Sequence, residues 1–123
     1  MRKKAVLFAI GAGLLWTQGA LLAHHGQAAY NTKDSVTVEG VVTEFQFVNP
    51  HCIVSLTAKD TDQKWQGELT SPNHLLHAGW NAHSIKPGDQ IKLTGWRSAS
   101  GANSLWITKT EVNGKLLSTA EGD

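Results

Sequence analysis

The stretch Ser35-Val36-Thr37-Val38-Glu39-Gly40-Val41-Val42-Thr43-Glu44-Phe45-Gln46-Phe47-Val48 is too rich in Val and Phe, and too long, for anything but an extended strand. Val36, Val38 and Val42 share one face, whereas Phe45 and Phe47 fall on the opposite parity. A parity switch inside one run predicts a bulge or bend, placed here at Gly40 or the adjoining Val41-Val42 pair. Asn49-Pro50 ends the strand. Beyond it Cys52, Val54, Leu56 and Ala58 alternate with mostly polar neighbours, and Lys59-Asp60-Thr61-Asp62-Gln63 turns the chain into a third strand over Trp65, Gly67 and Leu69. Ser71-Pro72 predicts a short helix, with Ser as N-cap and Pro in the first turn, stopping at Gly79. A fourth strand follows the Lys86-Pro87-Gly88-Asp89 turn and runs from Gln90 to Trp96. A fifth covers Leu105 to Val112, and Leu116-Leu117 offers a short edge segment beyond it. Three strands, a short helix and two strands, the first long and bent, is the order of a mainly β, five-stranded OB-type Greek-key barrel with its helix between strands 3 and 4. An immunoglobulin-type sandwich needs about seven strands and no central helix.

Upstream, Arg2-Lys3-Lys4 is a basic start and Ala5 to Leu15 an apolar run interrupted only by Gly11 and Gly13, the pattern of a cleavable export signal over residues 1–23. A cut after Ala23 begins the mature chain at His24-His25. A cut after Ala28 is the rival and discards both histidines. Residues 24–34 read as a flexible arm, 35–117 as the barrel and 118–123 as a polar tail, with no membrane span once the signal is removed. The chain carries 11 Lys+Arg and 10 Asp+Glu. Losing Arg2, Lys3 and Lys4 with the signal leaves eight cations against ten anions, which argues against a nucleic-acid partner. Cys52, the single cysteine, sits in an alternating strand and reads as a small buried hydrophobe.

The set His24-His25, Val38-Glu39-Gly40-Val41-Val42-Thr43-Glu44-Phe45, Asn49-Pro50-His51, Ser71-Pro72, Gly79-Trp80, Lys86-Pro87-Gly88-Asp89 and Thr94-Gly95 resembles a bacterial family of small exported proteins known only as a domain of unknown function. That resemblance spans essentially the whole mature chain. It implies an OB-like barrel, a periplasmic location and no established activity. The family tends to carry basic residues before its Gly-Trp pair where this chain has His77, which argues against His77 as a shared ligand.

Histidine is the chemically loaded residue in excess, six in all. After a cut at Ala23, His24 presents an α-amino group and an imidazole from one residue, a chelate suited to Cu(II), and His25 and His51 can complete the set. Asn49-Pro50 holds His51 at the rim of the barrel. His74 and His77, three apart on the short helix, read as a solvated face. Trp65, Trp80, Trp96 and Trp106 remain after cleavage. Trp96 and Trp106 lie off their strands' main apolar parity, which makes them the candidates for outward-facing ligand contacts. Ser98, Ser100 and Ser104 lack a nucleophile-elbow pattern, and Glu39, Glu44 and Glu68 fall on polar faces as solvated charges. The expectation is therefore a non-enzymatic periplasmic binding module, with copper as its candidate cofactor at His24, His25 and His51. One alternative is an envelope domain that recognises a protein or glycan without metal. The other is a copper-dependent redox enzyme using an N-terminal His24 brace.

Overall fold

A computed structural model describes residues 27–119. The predicted signal over 1–23, His24 and His25, and the last four residues of the tail lie outside the described residues. A 3-10 turn at Gln27–Ala29 leads into β1 (Tyr30–Gln46), followed by β2 (Ile53–Ala58), β3 (Lys64–Glu68), α1 (Pro72–His77), β4 (Gln90–Ser98), β5 (Ser104–Val112) and β6 (Lys115–Leu117).

The long first strand organises everything else. Its first half pairs with β4 and its second half with β2, both antiparallel, with Gly40 and Val41 bonded on both sides. The β2–β3 and β4–β5 hairpins extend each flank, and a parallel pairing of Gln66–Glu68 with Ser104–Trp106 joins the flanks. The resulting ring, β1-β2-β3-β5-β4, has the strand order of an OB-type barrel. The edge segment at Leu116-Leu117 is a true sixth strand, paired with β5.

Two details differ from the sequence reading. The register shift in β1 falls between Val42 and Glu44, so the extra residue is Thr43, just past the Val41-Val42 pair and not at Gly40. Gly40 is needed for another reason: a Cβ there would overlap the carbonyl oxygen of Thr57 on β2. The bulge at Thr43 lets Val38 and Val42, and beyond it Phe45 and Phe47, pack on the same core despite their opposite parity. The second difference is at the arm. β1 begins at Tyr30, five residues earlier than expected, because Tyr30 pairs with Ser98 and the Ala99 N–H donates to the Ala29 carbonyl at 3.0 Å.

The interior is filled mainly from four strands: Val38 and Val42 of β1, Val54 and Leu56 of β2, Leu93 of β4, Leu105 and Ile107 of β5, joined by Leu69, Leu75 and Ile85. Cys52 is fully buried among them, and burial pushes its thiol pKa up, as suits a core residue. Trp80 is buried too, its indole N–H donating to the Ser118 carbonyl at 2.7 Å and so tying down the start of the tail.

The helix forms where its caps dictate. Ser71 adopts an extended conformation (φ −66°, ψ 156°) and its hydroxyl accepts the His74 N–H at 3.3 Å. Pro72 occupies the first turn, and Gly79 at φ 89° turns the chain away. One buried side chain, Leu75, anchors this short helix. Ser71→Ala is expected to cost about 1 kcal/mol, the usual worth of an N-cap, read as a lowered midpoint in urea denaturation followed by circular dichroism.

Candidate functional site

The loop after β1 delivers His51 to the end of the ring where β1, β3 and β5 meet. Its Asn49–Pro50 peptide is cis. The next residue is tied to the chain following β3: the Cys52 N–H donates to the Thr70 carbonyl at 3.1 Å and the Leu69 N–H to the Cys52 carbonyl at 2.8 Å. With the Cys52 side chain committed to the core, its neighbour His51 turns to the other side, beside Glu68.

Glu68 is the hub. Its Oε1 lies 2.6 Å from His51 Nδ1, and its Oε2 accepts the Tyr30 hydroxyl at 2.6 Å. An ionised carboxylate only accepts, so whenever the His51 ring is neutral its proton sits at Nδ1 and its lone pair at Nε2. The His51 and Glu68 side chains are 29% and 21% exposed, so the pair stands at the rim, partly shielded from water. Burial, then the hydrogen bond to Glu68 and its negative charge, push the Tyr30 pKa far above its ordinary value, which keeps the phenol a donor.

Trp106 forms the wall. Glu68 pairs with it across the parallel β3–β5 contact. Its ring meets His51 edge-on, with centroids 5.3 Å apart at 89°, and Tyr30 at 6.1 Å and 57°. Gln27, His74 and Trp106 line one cleft of about 250 Å3, so the chain entering at Gln27 already lies beside Trp106.

The structure thus brings His51 and Trp106 together, but in roles that differ from the sequence reading. Trp106 is 9% exposed, not outward-facing, because Tyr30 and His51 cover the side that alternation assigned to solvent. Trp96 is half-buried and pairs in register with Trp106 and with Ser35, inside the sheet and away from any free edge. His24 and His25 lie outside the described residues. Two members were missed. Glu68 is not a solvated charge but the acceptor for two side chains, and Tyr30 is not part of a loose arm. The one available signal for Glu68 was its position three residues before the Ser71-Pro72 cap, at the strand end nearest His51. Among the described residues no group of three or more His, Cys, Asp or Glu is arranged to hold a metal ion. No described helix is long and apolar enough to cross a membrane.

A family model described as a family of unknown function, DUF6152, matches residues 13–105. No curated protein matches the chain. Among solved structures, the crystal structure of the ZRD-deleted mutant of TiaS in complex with agmatine is similar, with a TM-score of 0.50 and 14% identity over 67% of this chain and 22% of that one. The likeness is one of fold, and the chain spans about a fifth of that protein's length.

Proposed function

Because the chain belongs to DUF6152, a family of unknown function, its activity has to be read from its own residues, and we propose that it is a non-enzymatic periplasmic module that binds Cu(II). The observation that carries the reading is the 2.6 Å contact between His51 Nδ1 and Glu68. A metal-binding histidine commonly gives its other ring N–H to a carboxylate, which fixes the tautomer, orients the ring and raises the basicity of the ligating nitrogen. Glu68 stands in that relation to His51 and leaves Nε2 as the donor. Both Glu68 oxygens are engaged, so the carboxylate supports the ligand and does not ligate.

One imidazole does not make a site. Export with cleavage after Ala23 supplies the rest: the α-amino group and imidazole of His24, with the imidazole of His25 beside them. A single residue, Gly26, separates His25 from Gln27, which lines a cleft with Trp106, and Trp106 in turn touches His51. At about 3.3–3.6 Å per residue, that tether is short enough for the three histidines to act together. Nitrogen donors without thiolate favour Cu(II) over the other divalent first-row ions.

Intact mass of protein taken from the periplasm, under native and denaturing conditions, reads the N-terminus and any bound ion in one sample. The expected result is a chain starting at His24 that binds one Cu(II) more tightly than a bare His-His peptide in competition titration. Glu68→Gln replaces two acceptor oxygens by one, so it is expected to weaken that binding by about ten- to a hundredfold. A chain starting at Ala29, or one starting at His24 with no more affinity than the peptide, overturns the metal reading and leaves an envelope domain that recognises a protein or glycan. Oxygen-dependent turnover with a reductant would instead mark the redox enzyme.

A further inference from the structure

We infer that the cleft beside Trp65, where β1, β2, β3 and the loop between β4 and β5 meet, binds a neutral saccharide. Its residues are not those of the metal reading, and the inference stands without that reading.

The cleft is held open by contacts of its own. It has a volume of about 380 Å3, within the range of about 300–1,000 Å3 usual for ligand pockets. One wall is the Trp65 indole, half-buried against the core. The Arg97 guanidinium lies over that ring, 5.3 Å from its centroid, and Arg97 Nη2 donates to the Gly101 carbonyl at 3.4 Å. The ring is thereby braced from the β4–β5 loop before any ligand arrives. The loop itself is fastened to β3: the Gln66 N–H donates to the Asn103 carbonyl at 3.0 Å, and Asn103 Nδ2 donates to Gln63 Oε1 at 3.2 Å. Thr43, the bulge residue of β1, joins the lining, in keeping with the way bulges re-aim a side chain toward a site.

The lining selects the ligand. Besides Trp65 it offers the hydroxyls of Thr43 and Ser55 and the amides of Gln66 and Asn103, groups that both donate and accept. Gln66 is exposed, and its side-chain amide is committed to no described residue. No carboxylate lines the cleft, and its one cation, Lys64, is exposed, where a single ion pair is worth little. A pyranose ring presents hydroxyls around its edge and C–H groups on its face. The hydroxyls match the amides, and the C–H face matches the indole. A peptide added as a strand would need a free backbone edge, but β2 pairs with β1 and β3, and β3 with β2 and β5.

Titration of the full chain with cellotetraose, maltotetraose and chitotetraose, followed by NMR, tests the inference, with tetragalacturonate as the charged control. A neutral probe is expected to shift the Trp65 indole N–H and the side-chain amide signals of Gln66 and Asn103 at millimolar concentration. Gln66→Ala alters an exposed side chain with no hydrogen bond to any described residue, so the fold should be unaffected. It is expected to weaken binding by about fivefold, the equivalent of one hydrogen bond. Trp65→Phe is expected to weaken it by about tenfold, and His51→Ala to leave it unchanged. Four results each overturn the inference: no neutral probe binds, Gln66→Ala binds as tightly as the unsubstituted chain, His51→Ala abolishes binding, or tetragalacturonate alone binds.

Discussion

Gly95→Ala is expected to destabilise the protein by about 3 kcal/mol or more, the upper end of what overpacking costs and a large part of the stability of a domain this small. Gly95 is not in the left-handed region, so conformational freedom is not what the position requires. What it requires is space. Gly95 sits where the β4–β5 register shifts, and a Cβ there would overlap the carbonyl oxygen of Trp106 and stand 2.8 Å from Leu105 Cδ1. A flexible side chain could swing aside, but a carbonyl in a paired strand cannot without breaking the pair. The strain would also fall on Trp106, the wall of the His51 site. Urea denaturation followed by tryptophan fluorescence measures the effect. A change below 1 kcal/mol would mean that β4 and β5 do not approach as closely as described.

His51→Ala is the second large effect, and it separates function from fold. The substitution removes Nε2, the one ligand that the ring contributes in the proposed site, so Cu(II) affinity is expected to fall to that of a bare His-His peptide. The fold should persist. His51 is a rim residue in a loop, its backbone held by the Cys52 bonds to Leu69 and Thr70. Glu68 keeps Tyr30 as a donor, and the lost hydrogen bond to a carboxylate is worth about 2 kcal/mol. Titration with Cu(II) beside thermal denaturation of the same sample checks both halves. Undiminished affinity would remove His51 from the site.

Alternation along the chain made the strands legible, because half-buried strands of a ring must present every second side chain to one core. The Ser71-Pro72 cap and the Gly79 stop were legible as local chemistry. What alternation cannot encode is the third dimension of the site. It assigned Trp106 to solvent by parity, yet Leu105, Trp106 and Ile107 are all buried, since the outer side of β5 is covered by residues from β1 and the loop after it. It placed Glu68 in water because a strand position reveals a side, not the donors that will arrive there from 38 and 17 residues away. Tyr30 was hidden by its neighbours: Asn31-Thr32-Lys33-Asp34 has no apolar period, so nothing local announced a strand. Gly40 was a candidate for the bulge, beside the Val41-Val42 pair, for a related reason. A glycine marks either a bend or a close approach, and here the approach to Thr57 was the cause.

The parallel contact between β3 and β5 also bears on the His51 site. Hairpins such as β2–β3 and β4–β5 join neighbours in sequence, but Gln66 and Ser104 are separated by the helix and the whole of β4, and a parallel pair cannot be made by a tight turn. Their meeting joins the two flanks that β1 gathers, β2 with β3 on one side and β4 with β5 on the other, and so completes the ring. Glu68 comes from β3, Trp106 from β5 and Tyr30 from the start of β1, so this closure is what assembles them around His51. A partly folded chain holds the histidine but not its setting, and only the finished ring can present it.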